Sequence, residues 1–368
     1  MQRVNPSSAR SSAPRGFTLI ELLVVIFIII VLVAITVPAL ASVRKSARVT
    51  ETRGFMQGLA TAIQTFELDK KSLPGYFSAR DMGRQTNETN AGFSGMQNVM
   101  LDLAGGWVAD TGNGSPGTNF RLMGPDLGNQ ATRVYVDPAL VGSANNNSKQ
   151  YFTPTAKNWR KQDGVEGGSR ANGGTTEHDE LPELVDAFGA PILAWVDDTT
   201  GPRKFDNTTS FFARADSGAG VDAARFYRAS NAAFLTPGVA SLVGTKRVDQ
   251  VRSLLNTTRN DNDIAANLTG FLGNPASPKN AVDAAVTVAN LMPTAARGGV
   301  VLHSAGVDGV YLSEEDKGAA VRGTAFTQLH YGLNFRDIGN NPLRDAQNRN
   351  TNIDIVAGFD DIVQATGN

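Results

Sequence analysis

Cysteine is absent from all 368 residues. That excludes disulfides, thiolate metal centres and cysteine-based redox chemistry. Histidine is nearly absent too. The three present, His178, His303 and His330, form neither an HExxH string nor any paired metal spacing. An excess of one charge is also missing, with 34 Lys+Arg against 35 Asp+Glu. No bulk attraction to nucleic acid or another polyanion is therefore indicated. The chain contains no GxSxG nucleophile elbow, and Gly244-Thr245-Lys246 lacks the P-loop order. Gly112-x-Gly114-x-x-Gly117 matches a dinucleotide fingerprint by letters only, because Pro116 interrupts it within a Gly/Asn-rich loop. Glu177-His178-Asp179-Glu180 reads as a charged loop. These absences argue against an enzyme.

What is present begins at the N-terminus. Residues 1–16 are polar and basic, carrying Arg3, Arg10 and Arg15 and no acid. An unbroken apolar run follows from Leu22 to Ile35, in which thirteen of fourteen residues are Leu, Val, Ile or Phe. At about −0.3 to −0.6 kcal/mol each, they favour membrane insertion by roughly −4 to −8 kcal/mol. The 27 residues from Phe17 to Val43 make roughly 40 Å of helix, enough to span a bilayer. Glu21 is the exception inside this stretch. A charged side chain there costs about 3 kcal/mol, which the apolar total outweighs. An intramembrane carboxylate still needs a partner. A free amine on Phe17, one helical turn away, would supply it, provided the chain is cut between Gly16 and Phe17.

Gly16-Phe17-Thr18-Leu19-Ile20-Glu21, set between a basic leader and an apolar helix, resembles the cleavage and methylation signature of type IV pilins and type II secretion pseudopilins. The resemblance implies cleavage after Gly16 by a prepilin peptidase and N-methylation of Phe17. It also implies pairing of Glu21 with the N-terminus of a neighbouring subunit. Pro38 stands where the family kinks its helix. Implied partners are other pilin or pseudopilin subunits in a homo- or hetero-oligomeric filament, and an inner-membrane assembly platform. The implied location is the bacterial inner membrane, single-pass, with the C-terminal domain in the periplasm or outside. A secretory signal cut near Pro38–Ser42, or a plain uncleaved anchor, competes with this reading; neither explains Glu21. A membrane-tethered binding or enzymatic domain that uses a pilin-type export signal is the alternative function.

After Arg48 the apolar residues Met56, Leu59, Ile63 and Phe66 fall at three- and four-residue spacing, which predicts an amphipathic continuation over 44–74, ended by Leu73-Pro74-Gly75. The expected fold is α+β. A long N-terminal helix, half transmembrane and half amphipathic, packs on a small antiparallel sheet with large loop and helical insertions. Residues 75–180 read as a loop-rich insertion, with Arg133–Val136 and Leu181–Val185 as ordered exceptions. Residues 181–368 read as the globular domain, with an inserted subdomain around 203–297. Val248–Leu255 and Ala281–Leu291 look helical there, and the resemblance supplies no counterpart for this stretch. Bulky loops favour a minor over a major subunit.

Three later segments extend the resemblance. Phe66–Pro74 is similar to the stretch in which a pseudopilin helix ends. Asp186-Ala187-Phe188-Gly189-Ala190-Pro191, followed by Ile192–Trp195, resembles the turn into the first strand of the sheet, with Phe188 in place of the family tryptophan. Gly299–Gly309 and Phe359-Asp360-Asp361-Ile362 resemble the two segments that build a calcium site in major pseudopilins. Carboxylates and loop carbonyls are the oxygen ligands that Ca²⁺ takes. The resemblance implies Asp308 and Asp361 as ligands, with Asp360 as a substitute. Here 51 residues separate Asp308 from Asp360, far more than in the family. Glu314, Glu315 and Asp316 lie nearer Asp308, and Glu315 and Asp316 are alternates.

Overall fold

The computed structural model describes residues 16–89, 93–109, 112–125, 133–137, 139, 141, 149–160, 182–203, 208–216, 223–235, 240–243, 246–259, 261–275, 293–316 and 354–367. Ala281–Leu291 and all of the leader except Gly16 lie outside these residues. The chain divides into two units, Met1–Ala47 and Arg48–Asn368.

Helix α1 runs from Leu19 to Lys70 and contains Pro38. Proline removes a backbone donor, so the Ala34 carbonyl loses its usual partner. Thr36 Oγ1 donates to the Leu32 carbonyl at 2.9 Å just upstream. Within the first unit the described large apolar side chains are exposed, including Leu22, Phe27, Ile30 and Val43. By length and composition this helix can cross a membrane.

In the second unit α1 changes character. Thr52, Met56, Leu59, Ala60, Ala62, Ile63 and Phe66 are buried, while Gln57, Gln64 and Thr65 face solvent. That is the stripe expected of a helix lying on a core. The helix stops at Lys70, and Lys71 takes a left-handed φ of 58°. The stripe packs against a three-stranded antiparallel sheet in the order β12 (Ile362–Thr366), β11 (Val300–Ser304), β6 (Ile192–Val196). Side chains alternate across a strand. Val300, Leu302 and Ile192 accordingly join the cluster with Met56, Ile63 and Phe66, while Val301 and Trp195 join a second cluster on the opposite face.

The described residues within 75–180 hold more order than the composition of that stretch suggests. Helix α4 (Gly95–Ala104) has nine buried residues and sits in the same cluster as the α1 stripe. Its first turn carries a reciprocal Ser94–Gln97 capping box. A second antiparallel sheet, β1 (Trp107–Ala109), β3 (Val134–Val136), β2 (Arg121–Met123), follows it. The expected helix at Val248–Leu255 is absent. Its residues form the end of a strand, Lys246–Asp249, and a 3-10 turn, Gln250–Arg252. Asp249 ends the strand by accepting from Val251 N at 3.0 Å, so a local cap overrides the three-residue apolar spacing. A helix does form nearby, at Asp261–Leu272.

Candidate functional site

The first site is the start of α1. Gly16 has open space where a Cβ would project, so nothing in the described structure requires a small residue there. Phe17 is exposed. Thr18 and Glu21 form a capping box. Thr18 N donates to Glu21 Oε2 at 2.8 Å, Glu21 N donates to Thr18 Oγ1 at 3.3 Å, and the threonine hydroxyl donates to the same carboxylate oxygen at 2.7 Å. A Ser/Thr-x-x-Glu pair satisfies two helix donors reciprocally. Within a single chain, then, Glu21 is held by Thr18. Thr18-x-x-Glu21 ahead of an apolar run is the sequence signal for this cap.

The second site lies where the loop after β11 meets the residues entering β12. Asp308, Asp316 and Asp360 converge, each offering an oxygen within 4.8 Å of the others. Asp360 Oδ2 accepts from Val307 N at 3.0 Å and from Asp308 N at 3.2 Å. Asp360 N donates to Asp316 Oδ2 at 3.1 Å, and Val310 N donates to Asp308 Oδ1 at 2.8 Å. Gly306 makes this approach fit: it has φ +67°, and a Cβ there would stand 2.3 Å from the Asp360 carbonyl. Burial pushes Asp360 up to about 7, helped by the charges of Asp308, Asp316 and Asp361. Burial likewise pushes Asp308 up to about 6, with Asp316 and Asp361 adding to it. Asp360 Oδ1 is buried with no hydrogen-bond partner. An all-oxygen cluster that is crowded, partly desolvated and carries an orphan acceptor fits a hard divalent cation such as Ca²⁺.

Asp361 and Glu315 are placed elsewhere. Asp361 Oδ1 lies 2.5 Å from His303 Nε2 and accepts from Leu312 N at 3.0 Å. Both side chains of the His303–Asp361 pair are fully buried. Phe271 and Tyr311 flank the imidazole, at centroid distances of 4.4 and 5.2 Å. Glu315 is exposed and paired with Arg252, and Glu314 is paired with Arg259. The cluster therefore draws Asp316 from the alternates and leaves Asp361 and Glu315 out.

Asp186 explains the turn before β6. Its Oδ1 accepts from Phe188 N at 2.8 Å, Gly189 N at 2.8 Å and Ala190 N at 3.0 Å. Ser304 Oγ donates to Oδ2 at 2.6 Å and ties the turn to β11. Gly189 takes φ 96°, a conformation that glycine adopts without steric cost. Burial pushes Asp186 up to about 6 despite these four donors.

A long helix with an exposed apolar half, a cap built on Thr18 and Glu21, and a small sheet laid against its second half define a membrane-anchored α+β subunit of the prepilin type. The comparisons agree. Residues 12–37 match the prokaryotic N-terminal methylation motif family. The chain is 30% identical over 123 residues to the type IV wide pilus major component PilA4 of Thermus thermophilus, covering 33% of this chain and 90% of that protein. It is 39% identical over 59 residues to the type II secretion system core protein G of Pseudomonas aeruginosa, covering 16% of this chain and 42% of that protein. No solved structure matches. The chain belongs to the family of type IV pilins and type II secretion pseudopilins.

Proposed function

We propose that this protein is a structural filament subunit of a type II secretion system or type IV pilus, a scaffold component rather than a catalyst. In this reading a prepilin peptidase cuts after Gly16 and Phe17 becomes the methylated N-terminus. An inner-membrane platform then moves the subunit into the filament, and the domain from Arg48 onward stands outside the membrane. The single observation that carries the reading is Glu21 at the head of an apolar helix. Lipid alone leaves its charge uncompensated, and a neighbour's Phe17 amine would offset the cost of burying it. The exposed apolar half of α1 fits the same reading, since a surface of that size needs lipid or other subunits to cover it. Asp308, Asp316 and Asp360 would hold a calcium ion that ties the loop after β11 to β12. The ion would supply charge compensation and add its binding energy to folding.

Mass spectrometry of the protein recovered from a host with an active peptidase tests the processing. An N-terminus at Phe17, heavier by one methyl group, is expected. A mature chain that starts at any other residue would overturn the proposal.

A further inference from the structure

The acidic loop owes its shape to a segment that precedes it by some sixty positions in the fold's connectivity. Gln250 is fully buried, and its side-chain amide bridges Gly309 and Tyr311. Nε2 donates to the Gly309 carbonyl at 2.9 Å, and Oε1 accepts from Tyr311 N at 3.2 Å. Ser253 Oγ donates to the Tyr311 carbonyl at 2.6 Å. Leu254 N donates to the Leu312 carbonyl at 3.0 Å, and Glu314 N donates to the Arg252 carbonyl at 3.0 Å. Leu312 itself is held at φ 47°, a left-handed conformation that a bulky residue keeps only when its surroundings over-determine it. Arg252 and Arg259 pair with Glu315 and Glu314 and hold both glutamates in ion pairs of their own. Asp308 and Asp316 stand at the two ends of the span that is clamped in this way.

We infer that residues 250–259 position the cation site, and that Gln250 is the residue on which this depends. The inference rests on the calcium reading above. Three carboxylates repel one another before a cation arrives, so an unsupported loop relaxes by spreading them. An amide that bonds one carbonyl and one N–H of the loop fixes the backbone from Gly309 to Tyr311, next to Asp308, without adding charge. Affinity then comes from preorganisation rather than from a further ligand. Gln250 is a positioning residue: its amide is bonded to the backbone of Gly309 and Tyr311, and it is not a member of the carboxylate cluster. The inserted stretch around 203–297 thereby has a role in the site.

The test is calorimetric Ca²⁺ titration of the full chain in detergent, comparing wild type with Gln250→Leu and Asn98→Leu. Asn98 is an equivalent amide clamp in the other core cluster, bonded to both Phe77 N and the Phe77 carbonyl at 2.9 Å. Gln250→Leu is expected to weaken Ca²⁺ binding by about tenfold or more, as loss of outer-shell partners does. Asn98→Leu is expected to lower thermal stability comparably and leave affinity unchanged. Equal affinity loss in both variants, or none in Gln250→Leu, overturns the inference while the cation reading stands. A wild type that takes up no Ca²⁺ overturns both. If Gln250→Leu does not fold, Ser253→Ala replaces it, with a smaller loss of affinity expected and unchanged affinity overturning the inference.

Discussion

Glu21 and Asp360 are both carboxylates in places that disfavour charge, and each is handled differently. Glu21 has a backbone N–H and a hydroxyl from Thr18. Asp360 has two backbone donors on one oxygen and none on the other. Its folded value lies near 7, against an ordinary 3.8. Between about pH 4 and pH 7 the folded state then binds more protons than the unfolded one, so stability falls as pH rises through that window. Asp308, pushed up to about 6 by burial, acts in the same direction. Thermal unfolding without calcium is expected to show a melting temperature that declines from mildly acidic to neutral pH. Added Ca²⁺ is expected to reverse the decline at neutral pH and to do little near pH 4, where protons occupy the site. Asp360→Asn removes the largest share of the slope. A flat profile in the wild type would contradict the crowding of the three aspartates.

The sequence showed that two aspartates enter β12 but not which one faces the loop. Strand register decides that. His303 opposes Val363, and directly opposed residues share a face. Asp361, two residues before Val363 and just ahead of the strand, meets the His303 ring, while Asp360 turns to the amides of Val307 and Asp308. No local pattern carries this information, because the partner strand lies more than fifty residues away.

At the scale of elements, α1 was legible because its signal is periodic and long. Met56, Leu59, Ile63 and Phe66 repeat at helical spacing, and the structure buries all four. Ile63 is fully buried. Ile63→Ala is expected to cost about 2–5 kcal/mol through lost transfer energy and a residual cavity, whereas Gln64→Ala on the exposed face should stay within about 0.5 kcal/mol. Chemical denaturation of the two variants in detergent separates them; equal effects would mean that this half of α1 does not lie on the core. Elements that depend on caps were harder to read. Helix α4 lay hidden in a Gly- and Asn-rich region, although Ser94-x-x-Gln97 before an apolar run is a start signal. Val248–Leu255 misled in the other direction. Val248, Val251 and Leu254 imitate helical spacing, but Asp249 caps a short turn and ends the pattern.

For the whole molecule the decisive question is what Glu21 does once many copies share a membrane. One role is seen in the structure, the cap with Thr18; the other is the proposed pairing between subunits, and the two separate cleanly. As half of a capping box, Glu21 needs only an acceptor, and glutamine provides one. As partner to a Phe17 amine, it needs its negative charge. Glu21→Gln keeps the first role and removes the second, whereas Glu21→Ala removes both. A buried charge left without its partner is strongly destabilising, so both variants are expected to be cleaved after Gly16 yet to remain in the membrane. Filaments sheared from cells and compared with the membrane fraction by immunoblot give the measure. If assembly rests on the ion pair, Glu21→Gln falls to the level of Glu21→Ala. If Glu21→Gln assembles like the wild type, Glu21 serves its own helix and the pairing between subunits must be abandoned.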